Sequence, residues 1–173
     1  MDTVKVLQVV GFKNSGKTEL MSRLLGIANE KGKTVSTIKH HGHGGIPEMP
    51  PGTTDSSRFF GNGAASSLVY GGGVIQLHQR EERAGLDSLI EVASLAAPDL
   101  VLVEGLKKAD YDKIVLIRSA EDWEELQHLK RIILVVVLED FCLAGVETME
   151  RNNEEAIKKW FLEWMEGEED ESI

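Results

Sequence analysis

The sequence predicts a three-layer α/β fold with a mostly parallel sheet, and three observations support this. First, a strand pattern at 4–10 leads directly into GFKNSGKT at 11–18, which fits G-x-x-x-x-G-K-[ST]. Second, a helical pattern follows at 19–30, with its apolar residues on one face. Third, strand and helix patterns alternate along most of the remaining chain, which is typical of parallel βαβ units. Together they predict a fold of the P-loop NTPase type.

The glycine-rich segment 11–18 is predicted to bind the phosphates of a nucleotide. Its glycines allow the backbone to approach the ligand, and successive N–H groups at the start of a helix surround the polyphosphate. Lys17 is expected to contact the β- and γ-phosphates, and the Thr18 hydroxyl is expected to bind Mg²⁺. The candidate nucleotide-binding residues of this segment are Gly11, Phe12, Lys13, Asn14, Ser15, Gly16, Lys17, Thr18 and Glu19.

The next elements are a strand, a long loop, a short helix and a hairpin. Gly32 favours an end to the first helix, and 34–40 has a strand pattern. The loop at 41–54 contains four glycines and three prolines, and it should follow the carboxyl end of that strand, where parallel sheets bind ligands. Cap-type residues from Thr54 predict a helix ending near Gly61 or Gly63. Two brief apolar runs, 66–70 and 74–79, are joined by three glycines and predict a β-hairpin insertion.

The second half of the chain returns to alternating strands and helices. An amphipathic helix is predicted over 81–97, and a short apolar run then predicts a central strand that ends at Glu104 and Gly105. No repeat or linker is evident, so 1–167 is predicted to be a single nucleotide-binding domain, followed by a disordered acidic tail at 168–173. The remaining predicted elements are strands at 113–118 and 132–138 and helices at 122–130 and 153–166.

Composition limits the classes of partner and compartment. A formal charge of −10 argues against nucleic acid. No apolar run approaches the roughly 20 residues that a membrane-spanning helix needs, and the N-terminal residues lack the pattern of a signal peptide. Cys142 is the single cysteine, which suits a reducing compartment. We therefore expect a cytoplasmic protein that binds neither nucleic acid nor membrane.

Two acids are candidates for organising the Mg²⁺ and its water. Glu104 ends an apolar strand and precedes Gly105, which is the usual place for such an acid, and a solvated strand-end glutamate is the alternative interpretation. Asp55 follows the long loop and could position Mg²⁺ or water, or it could simply cap a helix. Lys17, Asp55 and Glu104 are the candidate catalytic residues, and Thr18, Glu104 and Asp55 are the candidate metal ligands.

A basic cluster lies at the end of the second predicted strand, at Lys39, His40, His41 and His43. It could bind phosphate or another anionic ligand, it could hold zinc, or its histidines could be ordinary loop residues. A second group of lysines, Lys107, Lys108 and Lys113, follows Glu104 and could add positive charge to the same crevice. Lys39, His40, His41 and Lys107 are therefore included among the candidate nucleotide-binding residues.

The spacing of residues in the sequence does not identify the base of the bound nucleotide. The Asn-Lys-x-Asp segment that guanine-specific GTPases usually carry is missing, and Asp140 is a candidate base contact by position only. No arginine or glutamine is evidently placed to stabilise a phosphoryl-transfer transition state, so slow turnover is expected.

Four segments in the same order resemble the MobB family of molybdopterin-guanine dinucleotide biosynthesis adapter proteins. They are the loop at 11–18, IKHHGHG at 38–44, Asp55-Ser56-x-Arg58, and VEGLK at 103–107 with Lys113-Ile114. The resemblance extends over about residues 4–140, and Leu106 stands where the family usually has Phe.

The resemblance implies properties that the residue patterns alone do not give. Members of the family form homodimers, bind GTP with Mg²⁺ and hydrolyse it slowly. They assist the guanylyltransferase, of the MobA type, that attaches GMP to molybdopterin. The expected function is therefore a GTP-binding adapter with weak GTPase activity, and the alternatives are a P-loop small-molecule kinase and a nucleotide-gated metallochaperone.

Overall fold

The computed structural model describes residues 4–42, 45–82, 84–138, 143 and 145–167. The elements follow the chain in this order: β1 (Lys5–Gly11), α1 (Lys17–Glu30), β2 (Val35–Lys39), α2 (Asp55–Gly61), β3 (Ser66–Gly71), β4 (Val74–Gln79), α3 (Leu86–Ser94), β5 (Leu100–Glu104), β6 (Asp112–Ile117), α4 (Ala120–Leu126), β7 (Ile132–Val137), β8 (Thr148–Glu150) and α5 (Glu154–Glu166).

The chain divides into two compact units. The larger unit comprises Met1–His40 and Leu86–Ile173, and the smaller unit comprises His41–Gly85. The predicted boundary of one nucleotide-binding domain over 1–167 stays a prediction, and the acidic tail at 168–173 lies outside the described residues.

The larger unit is built on a parallel sheet with the strand order β2-β5-β1-β6-β7-β8. Every neighbouring pair in this sheet is parallel. From β1 the chain crosses to the edge strand β2 and returns to β5 beside β1, and it then continues on the other side of β1 through β6, β7 and β8. The strand order therefore reverses at β1, and open α/β sheets bind their ligands beyond the carboxyl end of the strands at such a reversal.

The sheet of the larger unit lies between two layers of helices. Alternate residues of β1 point to opposite faces of the sheet, and each face packs against helices. Leu7 and Val9 pack in one core cluster with buried side chains of α1 and α5. Val10 packs towards α4, and Val6 packs towards α3. Both faces of the sheet are therefore covered, as the near-continuous apolar runs of its strands require. This confirms the three-layer α/β prediction.

Three elements differ from the sequence prediction. The helix α3 begins at Leu86, five residues later than predicted, directly after a glycine that favours leaving a helix. The helix α4 spans Ala120–Leu126 and is capped by Ser119, whose hydroxyl accepts a hydrogen bond from the Asp122 N–H. The strand β8 was not predicted, because three residues are too few to show a periodic pattern.

The smaller unit contains the predicted hairpin. The strands β3 and β4 are antiparallel, and Gly71 pairs with Val74 at the closed end. The two loop residues, Gly72 and Gly73, have φ values of 58° and 80°, and a type I′ turn needs positive φ at both positions. Glycine is the residue that adopts this backbone without strain, so the triple-glycine segment determines the hairpin.

Candidate functional site

The segment between β1 and α1 folds into a compact loop that requires its glycines. A Cβ added at Gly11 would lie 2.7 Å from the backbone oxygen of Leu116, so a side chain does not fit there. Gly16 has a φ of 91° and precedes the first helical residue, Lys17. Within the loop, the Ser15 N–H donates to the Phe12 carbonyl over 3.3 Å, which closes a turn. The pattern G-x-x-x-x-G-K-[ST] therefore produces a defined bend rather than a loose connection.

The first turn of α1 has backbone N–H groups that no side-chain cap satisfies. The first N–H groups of a helix have no partner inside the helix, and the helix dipole places partial positive charge there. The hydroxyl of Ser15 is buried beside this turn and has no hydrogen-bond partner within the described part of the chain. An uncapped helix start next to a buried, unpartnered hydroxyl is suited to binding an anion.

Lys17 lies over the loop that it follows. Its ammonium donates a hydrogen bond to the Phe12 carbonyl over 2.6 Å. Burial lowers the pKa of this ammonium, and the nearby Glu104 carboxylate opposes that shift. The ammonium is therefore held at the loop by the Phe12 carbonyl. An anion bound in the bend would attract it and stabilise its charged form.

Thr18 and Glu104 come together at the carboxyl ends of β1 and β5. The Thr18 hydroxyl donates to Glu104 Oε2 over 3.1 Å, and Lys39 Nζ lies 3.5 Å from the same oxygen. The Glu104 side chain is 13% exposed, so this carboxylate is mostly shielded from water. A hydroxyl beside a carboxylate is an oxygen donor set of the kind that Mg²⁺ prefers. Two of the three predicted metal ligands are thus adjacent.

The backbone after Glu104 is anchored to the buried strand β1. Gly105 has a φ of 96°, and a Cβ added there would lie 3.2 Å from Cβ of His40. The side chain of Gln8 is fully buried, and its Nε2 donates to the carbonyls of Gly105 and Leu106 over 3.0 and 2.9 Å. The His40 N–H also donates to the Glu104 carbonyl over 3.0 Å. These bonds fix the direction of the chain where Glu104 leaves the sheet.

Two cations lie against the ring of Phe12 on the outer side of the loop. Lys107 Nζ is 4.2 Å from the ring centroid, and Arg118 Cζ is 6.0 Å from it. This places Lys107 at the loop, as the sequence analysis expected. Lys113 is different, because it is fully buried and its ammonium donates to the carbonyls of Ala109 and Tyr111. The expectation that Lys113 adds charge to the crevice is therefore wrong, and this lysine anchors the segment before β6.

Arg118 connects the loop to a buried carboxylate. Its Nε and Nη2 donate to both oxygens of Asp122 over 2.8 and 3.0 Å, and the Arg118 backbone N–H adds a third bond of 3.0 Å. Its Nη1 donates to the Lys13 carbonyl over 3.3 Å. The guanidinium is thus held by Asp122 and in turn holds the loop backbone at Lys13.

Replacing Asp122 with Asn is expected to lower the free energy of unfolding by about 2 kcal/mol near neutral pH, because hydrogen bonds to a charged group are lost. The hydrogen bond from Arg118 lowers the pKa of the Asp122 carboxyl below its ordinary value of 3.8. A carboxyl with a lowered pKa stabilises the folded state above its unfolded-state pKa, and this is lost as pH falls through the folded-state pKa. Urea unfolding at a series of pH values measures the difference between the wild type and Asp122→Asn.

That difference should shrink below about pH 4. Glu163→Gln is the matched control, since Glu163 forms an exposed pair with Lys159 at 3.8 Å and such pairs contribute little. A wild-type advantage over Asp122→Asn that persisted unchanged at strongly acidic pH would contradict this prediction.

The structure brings most of the predicted site residues of the larger unit together. The segment from Gly11 to Glu19, with Lys39, His40, Glu104 and Lys107, surrounds the carboxyl ends of β1, β2 and β5. Glu19 is ion-paired with Arg151 and lies 3.6 Å from Arg23. Residue 43 and Asp140 lie outside the described residues.

Asp55 and His41 belong to the smaller unit, and their predicted roles at the nucleotide stay predictions. The suggestion that Asp55 caps its helix is wrong, because Thr54 is the cap and its hydroxyl accepts from the Ser57 N–H. Asp55 is instead the first residue of α2 and lies 4.0 Å from Arg58.

The sequence analysis missed two arginines beside the loop. Arg118 follows β6 directly and could have been noticed, since it ends a predicted strand at the carboxyl edge of the sheet. Arg151 follows β8, and that strand had no recognisable pattern. Both arginines lie beside the loop, and the expectation that no arginine is placed to stabilise a phosphoryl-transfer transition state stays a prediction.

The described part of the chain holds no further candidate metal site and no candidate membrane-spanning helix. No group of three or more His, Cys, Asp or Glu residues there is arranged to hold a metal ion. None of the helices in the same residues has the length and apolar character needed to cross a membrane.

The strand order that reverses at β1, together with the glycine bend that opens α1, defines an α/β protein of the P-loop NTPase type. Residues 6–139 match the family model described as MobB, molybdopterin guanine dinucleotide synthesis protein B. The chain therefore belongs to the MobB family, which confirms the resemblance noted from its motifs.

Proteins of known name and structure are similar to this chain over most of its length. A Bacillus subtilis (strain 168) protein named as a probable molybdopterin-guanine dinucleotide biosynthesis adapter protein is 42% identical over 130 residues, 75% of each chain. The adapter protein of that name from Escherichia coli (strain K12) is 27% identical over 168 residues, 94% of each chain. The crystal structure of Bacillus subtilis MobB has a TM-score of 0.78 at 34% identity, covering 95% of this chain and 99% of that one.

Proposed function

We propose that this protein is a GTP-binding adapter with weak GTPase activity that assists a MobA-type guanylyltransferase in attaching GMP to molybdopterin. The observation that carries the proposal is the convergence of Lys17, Thr18 and Glu104 on the uncapped start of α1. Membership of the MobB family supplies the biosynthetic context, and its named relatives are adapter proteins of molybdopterin-guanine dinucleotide biosynthesis.

Each residue has a distinct role in the proposed binding of GTP. The N–H groups of the bend and of the first turn of α1 hold the phosphate oxygens, and Lys17 moves from the Phe12 carbonyl to the terminal phosphates. Thr18 and Glu104 would hold Mg²⁺, which supplies positive charge to the phosphates when bound. Lys39 adds a cation 3.5 Å from the same carboxylate and balances its charge.

Slow hydrolysis follows from the way the nearby cations are engaged. The Arg118 guanidinium is fixed to both carboxylate oxygens of Asp122. It is therefore not free to stabilise the charge that develops at the outer phosphate, and an arginine that does so accelerates phosphoryl transfer by several orders of magnitude. An adapter that retains its nucleotide agrees with this arrangement.

The proposal is tested by competition of GTP and ATP for a bound fluorescent GTP analogue, combined with an assay of phosphate release. We expect GTP to compete better than ATP, and we expect slow phosphate release without any added acceptor. Equal competition by both nucleotides would remove the guanine assignment. Release that depended on an added acceptor would favour the kinase alternative.

We further propose that the hairpin joins two copies of the chain. The register pairs Tyr70 with Ile75 and Leu68 with Leu77, so these four apolar side chains share one face of the hairpin. Tyr70 is 71% exposed and Ile75 is 63% exposed. An isolated two-stranded hairpin is marginally stable in water, and a second copy would cover an identical apolar face at a twofold axis.

Replacing Ile75 with Glu is expected to weaken homodimerisation by at least about a hundredfold, because it would bury an unpaired carboxylate in the interface. Light scattering after size-exclusion chromatography measures the mass over a range of protein concentrations. Gln76→Glu on the opposite face of the hairpin is the control with the same added charge and should remain dimeric. A wild-type protein that is monomeric throughout, or a dimeric Ile75→Glu variant, would contradict the proposed dimer.

A further inference from the structure

The guanidinium of Arg151 lies directly against the turn that opens α1. A Cβ added at Gly16 would be 2.5 Å from Cζ and Nη2 of Arg151 and 2.8 Å from Nη1. The glycine at this position therefore leaves room for the arginine as well as for the backbone conformation. The guanidinium occupies the side of the loop that faces β8, next to the uncapped N–H groups of the helix.

Hydrogen bonds hold the backbone of Arg151 at both its N–H and its carbonyl, so the fold determines where this side chain starts. Its N–H donates to the Val137 carbonyl over 2.8 Å, continuing the pairing of β7 with β8. Its carbonyl accepts a bond of 3.2 Å from Nη1 of Arg23 on α1. The Arg151 side chain is only 25% exposed. The fold thus brings this arginine to the loop from the far edge of the sheet.

Glu19 is the ion-pair partner of Arg151. Nη2 of Arg151 donates to Oε2 of Glu19, and Glu19 is in the first turn of α1. A carboxylate and a phosphate present similar oxygen acceptors to a guanidinium. The Glu19 carboxylate, which is 59% exposed, therefore occupies a guanidinium that a phosphate at the start of α1 could use instead.

The order of strands in the sheet indicates which part of the nucleotide Arg151 would contact. Thr18 and Glu104, the residues suited to the metal, lie on the side of β5. Arg151 lies on the opposite side of β1, towards β6, β7 and β8. A Mg²⁺ held by Thr18 and Glu104 would supply charge to the β- and γ-phosphates, which leaves the opposite side of the loop for the α-phosphate and the nucleoside.

We propose that Arg151 is a nucleotide-binding residue that contacts the α-phosphate end of the ligand, and that Glu19 is its counter-ion until the nucleotide displaces it. This inference rests on the proposed function and adds to it a contact that is shared by GTP and GDP. On this inference Arg151 contributes to the affinity for the nucleotide and does not stabilise the transition state of GTP hydrolysis.

The test measures binding of GTP and GDP by calorimetry to the wild type, Arg151→Ala, Arg151→Lys, Glu19→Gln and the double variant. Arg151→Ala should weaken both nucleotides by the same factor, about tenfold or more, since a charge-assisted hydrogen bond is lost. Glu19→Gln should strengthen binding about threefold or more by releasing Arg151, and this gain should be clearly smaller in the double variant. Arg151→Lys should bind with intermediate affinity.

The ion pair of Glu30 and Lys158 is a matched control at the other end of α1, where the two charged atoms are 2.8 Å apart. Glu30→Gln and Lys158→Ala should leave both affinities unchanged. The melting temperature without nucleotide checks that each variant is folded, and Glu19→Gln keeps the test decisive if Arg151→Ala is unstable.

Three results would overturn the inference. Unchanged affinity of folded Arg151→Ala for GTP and GDP would remove Arg151 from the site. A normal affinity with a slower hydrolysis rate at saturating GTP would make Arg151 a transition-state residue instead. A wild-type protein that binds neither nucleotide would overturn the proposed function itself, and this inference with it.

Discussion

Replacing Lys17 with alanine is expected to weaken GTP binding by about a hundredfold, because a charge-assisted contact to the terminal phosphates is lost inside a partly desolvated bend. The ammonium already lies at this bend, where it donates to the Phe12 carbonyl over 2.6 Å. Burial lowers the pKa of this ammonium, and a bound polyphosphate would stabilise its charged form. Calorimetric titration with GTP in the presence of Mg²⁺ measures the effect.

Lys159→Ala is the matched control for that experiment. Lys159 is an exposed lysine on α5, and its only described ion pair is a surface contact with Glu163 at 3.8 Å. This variant should bind GTP as the wild type does, and both variants should unfold at nearly the wild-type temperature. Wild-type affinity in folded Lys17→Ala would show that the bend is not the phosphate site.

Replacing Glu104 with glutamine is expected to abolish the tightening of GTP binding by Mg²⁺ and to slow GTP hydrolysis by about a hundredfold. Glutamine keeps the length of the side chain and can still accept from the Thr18 hydroxyl, but it loses the charge that a hydrated Mg²⁺ needs. GTP binding without Mg²⁺ should be unchanged or stronger, because a negative charge beside the phosphates has been removed. Titrations with and without Mg²⁺ separate the two effects.

Glu91→Gln removes an exposed carboxylate on α3 and should have no effect on either titration. Thr18→Ser retains the hydroxyl and should preserve the dependence on Mg²⁺, whereas Thr18→Val should reduce it. A dependence on Mg²⁺ in Glu104→Gln equal to that of the wild type would contradict the assignment of this acid to the metal.

The loop and its acid were predictable because their requirements are local. Gly16 has a φ of 91°, a backbone conformation that glycine adopts without strain, and the requirement is visible in the sequence as the fixed spacing of Gly11 and Gly16. Glu104 was predictable from the apolar strand before it and the glycine after it, since parallel strands deliver their last residues to one edge. The three-layer fold followed from the same alternation of strands and helices.

Contacts between distant segments were not predictable from these patterns. Arg151 reaches Gly16 only because β8 pairs with β7 across the sheet, and β8 is too short to be recognised from periodicity. Lys113 carries the same charge as its exposed neighbours, and only its burial at Ala109 and Tyr111 distinguishes it from them. In both cases the tertiary environment, rather than the residue type, determines the role.

The division into two units has a spectroscopic consequence. All three tryptophans of the chain, Trp123, Trp160 and Trp164, belong to the larger unit, and the segment His41–Gly85 has none. Indole fluorescence therefore observes the sheet with its flanking helices and is blind to the unfolding of the hairpin and α2. Comparing an indole-detected denaturation curve with one detected by far-ultraviolet circular dichroism would reveal directly whether the insertion melts separately from the rest of the chain.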